Sequence, residues 1–190
     1  MITPWKTIAS RMALSDRWIR IRADTCERAD GTRIAPFYVS ENSEWICILP
    51  LTPEGDVVTV TEYRHGAGRV ITGFPGGAVE PGDTSPETAA ARELAEETGY
   101  VCGTIIPLGA AYANAANQTQ KVHYFLGLDA RRERAPTLDP TEEIEVTHRP
   151  WDDVRALGFL QQSFHLACLH LATAYLADHP DVAMRGAQGT

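Results

Sequence analysis

The sequence has no apolar run of the length a membrane span needs, no closely spaced cysteine pair and no surplus of basic charge. The first absence argues against a spanning helix. Arg11, Asp16 and Arg17 stand where a secretory leader would need apolar residues, so a cytoplasmic protein is expected. Cys26, Cys47, Cys102 and Cys168 lie far apart. Without a CxxC pair they read as buried free thiols in a reducing compartment rather than as disulfides or zinc ligands. The net charge of −8 argues against a nucleic-acid partner, which needs a basic surface. It leaves phosphate-bearing ligands open, because a bound cation reverses the local potential. No internal repeat is visible, and 190 residues with 44% hydrophobic content suffice for one good core.

Against these absences stands one dense stretch. Gly76-Gly77-Ala78-Val79-Glu80-Pro81-Gly82-Asp83 is a glycine-rich turn, and Arg92-Glu93-Leu94-Ala95-Glu96-Glu97-Thr98-Gly99-Tyr100 follows it. Thr84 or Ser85 suits a helix N-cap, Pro86 and Glu87 suit the first turn, and Gly99 suits the end. On a helix, positions i, i+3 and i+4 lie side by side, so Glu93, Glu96 and Glu97 project together. Three carboxylates that close need a neutralising partner, and a hard divalent cation such as Mg²⁺ or Mn²⁺ prefers their oxygens. An isolated ExxEE is more often a solvated face. Here both ends are capped, Ala89, Ala90 and Leu94 supply an apolar flank, and the glycines allow backbone to approach a ligand closely. The pattern describes a built site.

Elsewhere the chain alternates between strand and helix patterns. Residues 18–23 alternate with period two, and Asp30-Gly31-Thr32 forms a hairpin turn before a strand over 34–39. Residues 45–51 are almost continuously apolar, as in a strand covered on both faces. Pro53-Glu54-Gly55-Asp56 turns the chain into a strand over 57–63, and 101–108, 122–128 and 144–148 are further strands. Residues 151–157 suit a short helix, and apolar residues at helical spacing predict a long one over 163–176. The small, polar tail over 181–190 reads as frayed.

The glycine turn and acidic helix resemble the Nudix box, G-x5-E-x7-R-E-U-x-E-E-x-G-U, where U is a bulky apolar residue. Gly77 matches its first glycine, and Arg92, Glu93, Leu94, Glu96, Glu97, Gly99 and Tyr100 match its second half in order. Asp83 departs from the pattern: it replaces Glu, and eight residues rather than seven separate it from Arg92. The whole order of elements is similar to the ADP-ribose pyrophosphatase-like branch. That resemblance implies an α/β/α sandwich with a mixed sheet over 44–180, preceded by an antiparallel β-region over 1–43. In that branch such a region is often exchanged between the subunits of a homodimer. Glu62-Tyr63-Arg64 is similar to the branch's (Q)YR stretch, with Glu62 in place of Gln, and Thr141-Glu142-Glu143-Ile144-Glu145-Val146 to its acidic loop.

The resemblance implies Mg²⁺-dependent hydrolysis of a nucleoside diphosphate linked to a second moiety, with ADP-ribose, giving AMP and ribose 5-phosphate, as the leading substrate. Glu93, Glu96 and Glu97 would hold the cation with the Gly76 carbonyl, and Glu80 would join through water. Arg92 suits a bidentate bridge that orients a box carboxylate, and Arg64 suits either a substrate phosphate or an exposed strand end. Glu142 is the first choice for the general base, ahead of Glu143 and Glu145, though all three also suit a solvated loop. Asn114, Asn117 and Gln118 fit a sugar or a plain turn. Trp45 and Tyr112 fit an adenine ring or ordinary packing, and His65 and His123 are lone histidines beside strands. A nucleotide-sugar or dinucleotide pyrophosphatase is the nearest alternative, and a non-catalytic nucleotide sensor is a second. An isoprenoid diphosphate isomerase would need an activated cysteine, and neither Cys47 nor Cys102 has an evident activator.

Overall fold

The computed structural model describes residues 1–156 and 158–184. The chain divides into two units, residues 1–44 with 111–121 and residues 45–110 with 122–190.

In the first unit β1 (Lys6–Ser15), β2 (Arg20–Glu27) and β3 (Arg33–Ser40) form an antiparallel meander. The sequence pattern does not announce β1, because its residues do not alternate and all ten are exposed. Asp24 is buried in β2, where it accepts from Ser10 Oγ at 2.7 Å and from Arg22 Nε at 3.0 Å. The segment after residue 111 lies against β3: Ser40 N–H donates to Asn117 O at 2.8 Å, and Thr119 N–H to Ser40 O at 3.0 Å.

The second unit is built on β4 (Trp45–Pro50), which pairs in parallel with β9 (Lys121–Leu128), and β8 (Thr104–Tyr112) flanks β9. A second sheet places β5 (Asp56–Arg64) between antiparallel β6 (Arg69–Gly73) and β11 (Ile144–Pro150). The continuous apolar run of β4 has a direct reason. Ile46 and Ile48 pack toward helix α1 (Pro86–Thr98) with Ala89, Ala90 and Leu94, while Cys47 and Leu49 pack toward α3 (Ser163–Asp178) with Cys168 and Leu169. A helix on each face of mixed strands is the expected α/β/α sandwich.

The strand expected over 101–108 breaks at Cys102 and Gly103 into β7 (Tyr100–Val101), which pairs with β10 (Arg131–Arg132), and β8. Helix α2 covers Trp151–Arg155, and Leu157, where that helix was expected to end, lies outside the described residues. Pro180–Met184 forms a short helix, α4, and the remainder of the tail, 185–190, also lies outside them. No helix among the described residues is long and apolar enough to cross a membrane.

Candidate active site

Helix α1 begins where Ser85 caps it, its Oγ accepting from Thr88 N–H at 3.1 Å, and Pro86 follows at the first helical position. It ends at Gly99, whose φ of 76° lies in the left-handed region. A second constraint acts there: a Cβ on Gly99 would lie 2.0 Å from the Arg134 carbonyl oxygen. Between these caps, Ala89, Ala90 and Leu94 are buried against the sheet, and Glu93, Glu96 and Glu97 share the next stripe of the helix.

The segment before the helix runs beside β4. Ile48 N–H donates to Pro75 O at 3.0 Å and Ile46 N–H to Gly77 O at 2.9 Å. Gly76, between them, turns its N–H to Glu97 Oε2 at 3.1 Å. Both glycines are required by close approach. A Cβ on Gly76 would lie 2.4 Å from the Ile46 carbonyl oxygen, and one on Gly77 would lie 2.1 Å from Glu93 Oε1.

Arg92 is the hub. Its Nε donates to Asp83 Oδ1 at 3.2 Å and its Nη2 to Asp83 Oδ2 at 2.9 Å, a bidentate fork. Nη1 donates to Glu93 Oε1 and to Glu96 Oε2, each at 2.9 Å, and Nη2 also reaches Ala78 O at 2.9 Å. Asp83 is thus the carboxylate on which the guanidinium fork closes, despite its altered spacing. Its position is set by a turn in which Asp83 N–H donates to Glu80 O at 3.0 Å and Glu80 N–H to Asp83 Oδ2 at 2.8 Å. The Arg92 bond, reinforced by that backbone donor, holds Asp83 below the usual carboxylate range.

Burial has the opposite effect on two helix carboxylates. Desolvation pushes Glu93 up to about 7, with Arg92 only partly offsetting it. Glu97 is 5% exposed; burial first, and the Glu93 charge second, raise it well above the usual range. Glu62, on β5, is raised by burial, against the Arg64 charge that lowers it, and by Glu142, and its Oε1 forms an ion pair with Arg64 Nη2 at 2.6 Å. Glu142 bonds its own turn, Oε2 accepting from Asp139 N–H at 3.0 Å, while its charge acts on Glu62, Glu93 and Glu97. The structure therefore associates the expected Gly76, Arg92, Glu93, Glu96, Glu97, Glu142 and Arg64 in one region of the second unit.

Asn114 and Gln118 belong to the first unit. Asn114 Oδ1 accepts from Ala116 N–H at 3.2 Å and its carbonyl from Gln118 N–H at 2.9 Å, the bonding of a turn. Trp45 packs on the core beside Phe164, with ring centroids 6.5 Å apart. Tyr112 is exposed, with Lys121 Nζ 5.5 Å from its ring centroid. Sequence reasoning missed Glu62 as a member of the acidic group and treated it as a stand-in for Gln. Its signal was its place two residues before Arg64 on a strand, which puts both on one face.

These are hard oxygen donors, desolvated and mutually repelling, and their chemistry fits a divalent cation. As placed, Glu93 and Glu96 are held by Arg92, and among the described residues no three His, Cys, Asp or Glu side chains converge at ligating distance. A cation would take those oxygens in exchange for part of the Arg92 contact.

A NUDIX domain model matches residues 43–167, and a model of the nucleoside diphosphate sugar hydrolase N-terminal domain matches residues 5–40. The chain belongs to the Nudix family. It is 30% identical over 157 residues to an ADP-ribose pyrophosphatase of Bacillus subtilis (strain 168), covering 80% of this chain and 82% of that protein. It is 27% identical over 158 residues to a GDP-mannose pyrophosphatase of Yersinia enterocolitica, covering 76% and 81%. The crystal structure of an ADP compounds hydrolase matches with a TM-score of 0.83 at 20% identity, over 94% of this chain and 97% of that one, and so shares its fold.

Proposed function

We propose that this Nudix protein hydrolyses the pyrophosphate bond of a nucleoside diphosphate linked to a second moiety, with ADP-ribose, giving AMP and ribose 5-phosphate, as the leading substrate. The observation that carries this reading is half-buried Glu93 beside buried Glu97 on a doubly capped helix, fixed against Gly76 and Gly77. Nudix hydrolases generally use divalent metal ions, and Mg²⁺ is the ion proposed here, held by Glu93, Glu96, Glu97 and the Gly76 carbonyl. Bound there, it would supply the positive charge that offsets the diphosphate oxygens and eases ionisation of water.

The chain's own residues supply the rest. Arg92, tied to Asp83, orients Glu93 and Glu96. Arg64 presents a guanidinium to a substrate phosphate. Glu142 leaves its turn to take the proton of the attacking water, as a general base.

A second reading, hydrolysis of nucleotide sugars, has its own support in the N-terminal domain match over 5–40 and in the GDP-mannose pyrophosphatase relative. The proposal extends to a homodimer joined through the N-terminal sheet, over a domain division at 43/44, and to a cytoplasmic location.

Incubation with Mg²⁺ and ADP-ribose, ADP-sugars, GDP-mannose and dinucleotides, with products read by mass, decides among these substrates. Tight binding without turnover would favour a sensor instead. Glu97→Gln should lower turnover by about two orders of magnitude or more with the melting curve unchanged. Near-normal activity in that variant would remove the metal assignment.

A further inference from the structure

Two guanidiniums stand among the site's carboxylates, and they differ in what remains of their bonding capacity. A guanidinium has five N–H donors. Arg92 uses all five, on Asp83 twice and on Glu93, Glu96 and the Ala78 carbonyl once each. Until a cation takes some of those carboxylate oxygens, it has no donor left for a ligand. Arg64 makes a single ion pair among the described residues, Nη2 to Glu62 Oε1 at 2.6 Å, and retains donors for a phosphate.

Glu62 is placed to control those donors. It lies two residues before Arg64 on β5, on the same face as Val58, which packs against α1. Its side chain is 16% exposed and that of Arg64 32%, so the pair is largely shielded from water and salt. The charge of Glu62 also acts on Glu97, and that of Glu142 on Glu62.

We propose that Glu62 is an affinity- and specificity-setting residue: it occupies Arg64, and a diphosphate binds by exchanging the Glu62 carboxylate on that guanidinium for one of its own oxygens. This rests on the pyrophosphatase reading above. The exchange gives up the Arg64–Glu62 ion pair and leaves the Glu62 carboxylate shielded without its partner, so it weakens binding. A ligand with two phosphates competes better than one with a single phosphate. The pair therefore selects a diphosphate over a monophosphate product.

Glu62→Gln keeps the shape and an acceptor oxygen for Arg64 but removes the charge. In steady-state hydrolysis of ADP-ribose with Mg²⁺, KM should fall about tenfold, the size of one partly shielded charge pair, with the effect on KM rather than kcat. Arg64→Ala in the Glu62→Gln background should erase the gain. An unchanged or higher KM overturns the proposal. So does an altered Mg²⁺ requirement at constant KM, which would make Glu62 a cation ligand. If the wild-type chain turns over none of these compounds, calorimetry with inorganic pyrophosphate in Mg²⁺ still decides. Tighter binding to Glu62→Gln supports the exchange, and equal or weaker binding overturns it.

Discussion

Residues 1–44 with 111–121 carry eight Lys and Arg against six Asp and Glu, whereas 45–110 with 122–190 carry nine against nineteen. The two units also differ in what they bury. In the first, β1 is exposed along its whole length, Trp5, Ile8, Met12, Leu14 and Trp18 present apolar surface, and burial is confined to Ala23, Asp24 and Cys26 of β2. In the second, two apolar layers enclose β4 and β9, and the buried carboxylate Glu97 accepts from the Gly76 N–H, whereas buried Asp24 of the first unit is ion-paired with Arg22 at 3.0 Å. A three-stranded sheet with exposed apolar residues is where the proposed dimer would form. A unit that buries a carboxylate on a backbone N–H rather than on a cation has given up stability for chemistry.

The contrast can be broken most severely at Arg92. Arg92→Ala would leave Asp83 and Glu93 shielded from water without their cation, and should cost about 4 kcal/mol in urea unfolding. Acid should act next. Burial, with Arg64 nearby, lowers His165 to about 4. The unfolded chain takes up that proton first, near pH 6.5, so the His165 contribution to stability is lost as pH falls from about 6.5 to about 4, by up to about 3 kcal/mol. Glu93, raised to about 7, takes its proton first in the folded chain and acts in the opposite sense. Melting curves of His165→Gln should lack this component across that window. Gly77→Ala would displace the Glu93 carboxylate and should slow turnover about a hundredfold, roughly 2.7 kcal/mol in barrier, with less effect on the melt. On the other unit the expected readout is assembly. Leu14→Asp with Trp18→Glu should raise the dimer dissociation constant at least about tenfold, seen as a gel-filtration mass falling toward one subunit. A wild-type mass of one subunit removes the dimer. The smallest effect belongs to the solvated Arg28–Asp30 pair, 3.5 Å apart, where Arg28→Ala should leave the melting curve unchanged.

What could be read in advance follows the strength of local signals. Helix α1 carries its own punctuation in Ser85, Pro86 and Gly99, and β4 betrays its double burial by an unbroken apolar run. β1 has no such mark, because a strand exposed on both faces has no period to display. β6 is five residues long, follows a single turn of 3-10 helix (His65–Ala67), and escaped notice for the same want of pattern. At the site, helical spacing sufficed to group Glu93, Glu96 and Glu97. The roles of Asp83 and Glu62 depend on where two guanidiniums come to rest, and that is set by tertiary packing rather than by neighbours in sequence.

The parallel pairing of β4 with β9 has a consequence for how the protein comes into being. Trp45 faces Val122 and Pro50 faces Gly127, so more than seventy residues separate the partners, and the acidic helix lies wholly within that interval. As the chain leaves the ribosome, α1 and its carboxylates emerge before β4 has its partner strand. Contacts of such long sequence separation form slowly. Until β9 arrives, one edge of β4 stays open, and the emerging enzyme is most vulnerable to aggregation while its chemically decisive segment is already complete.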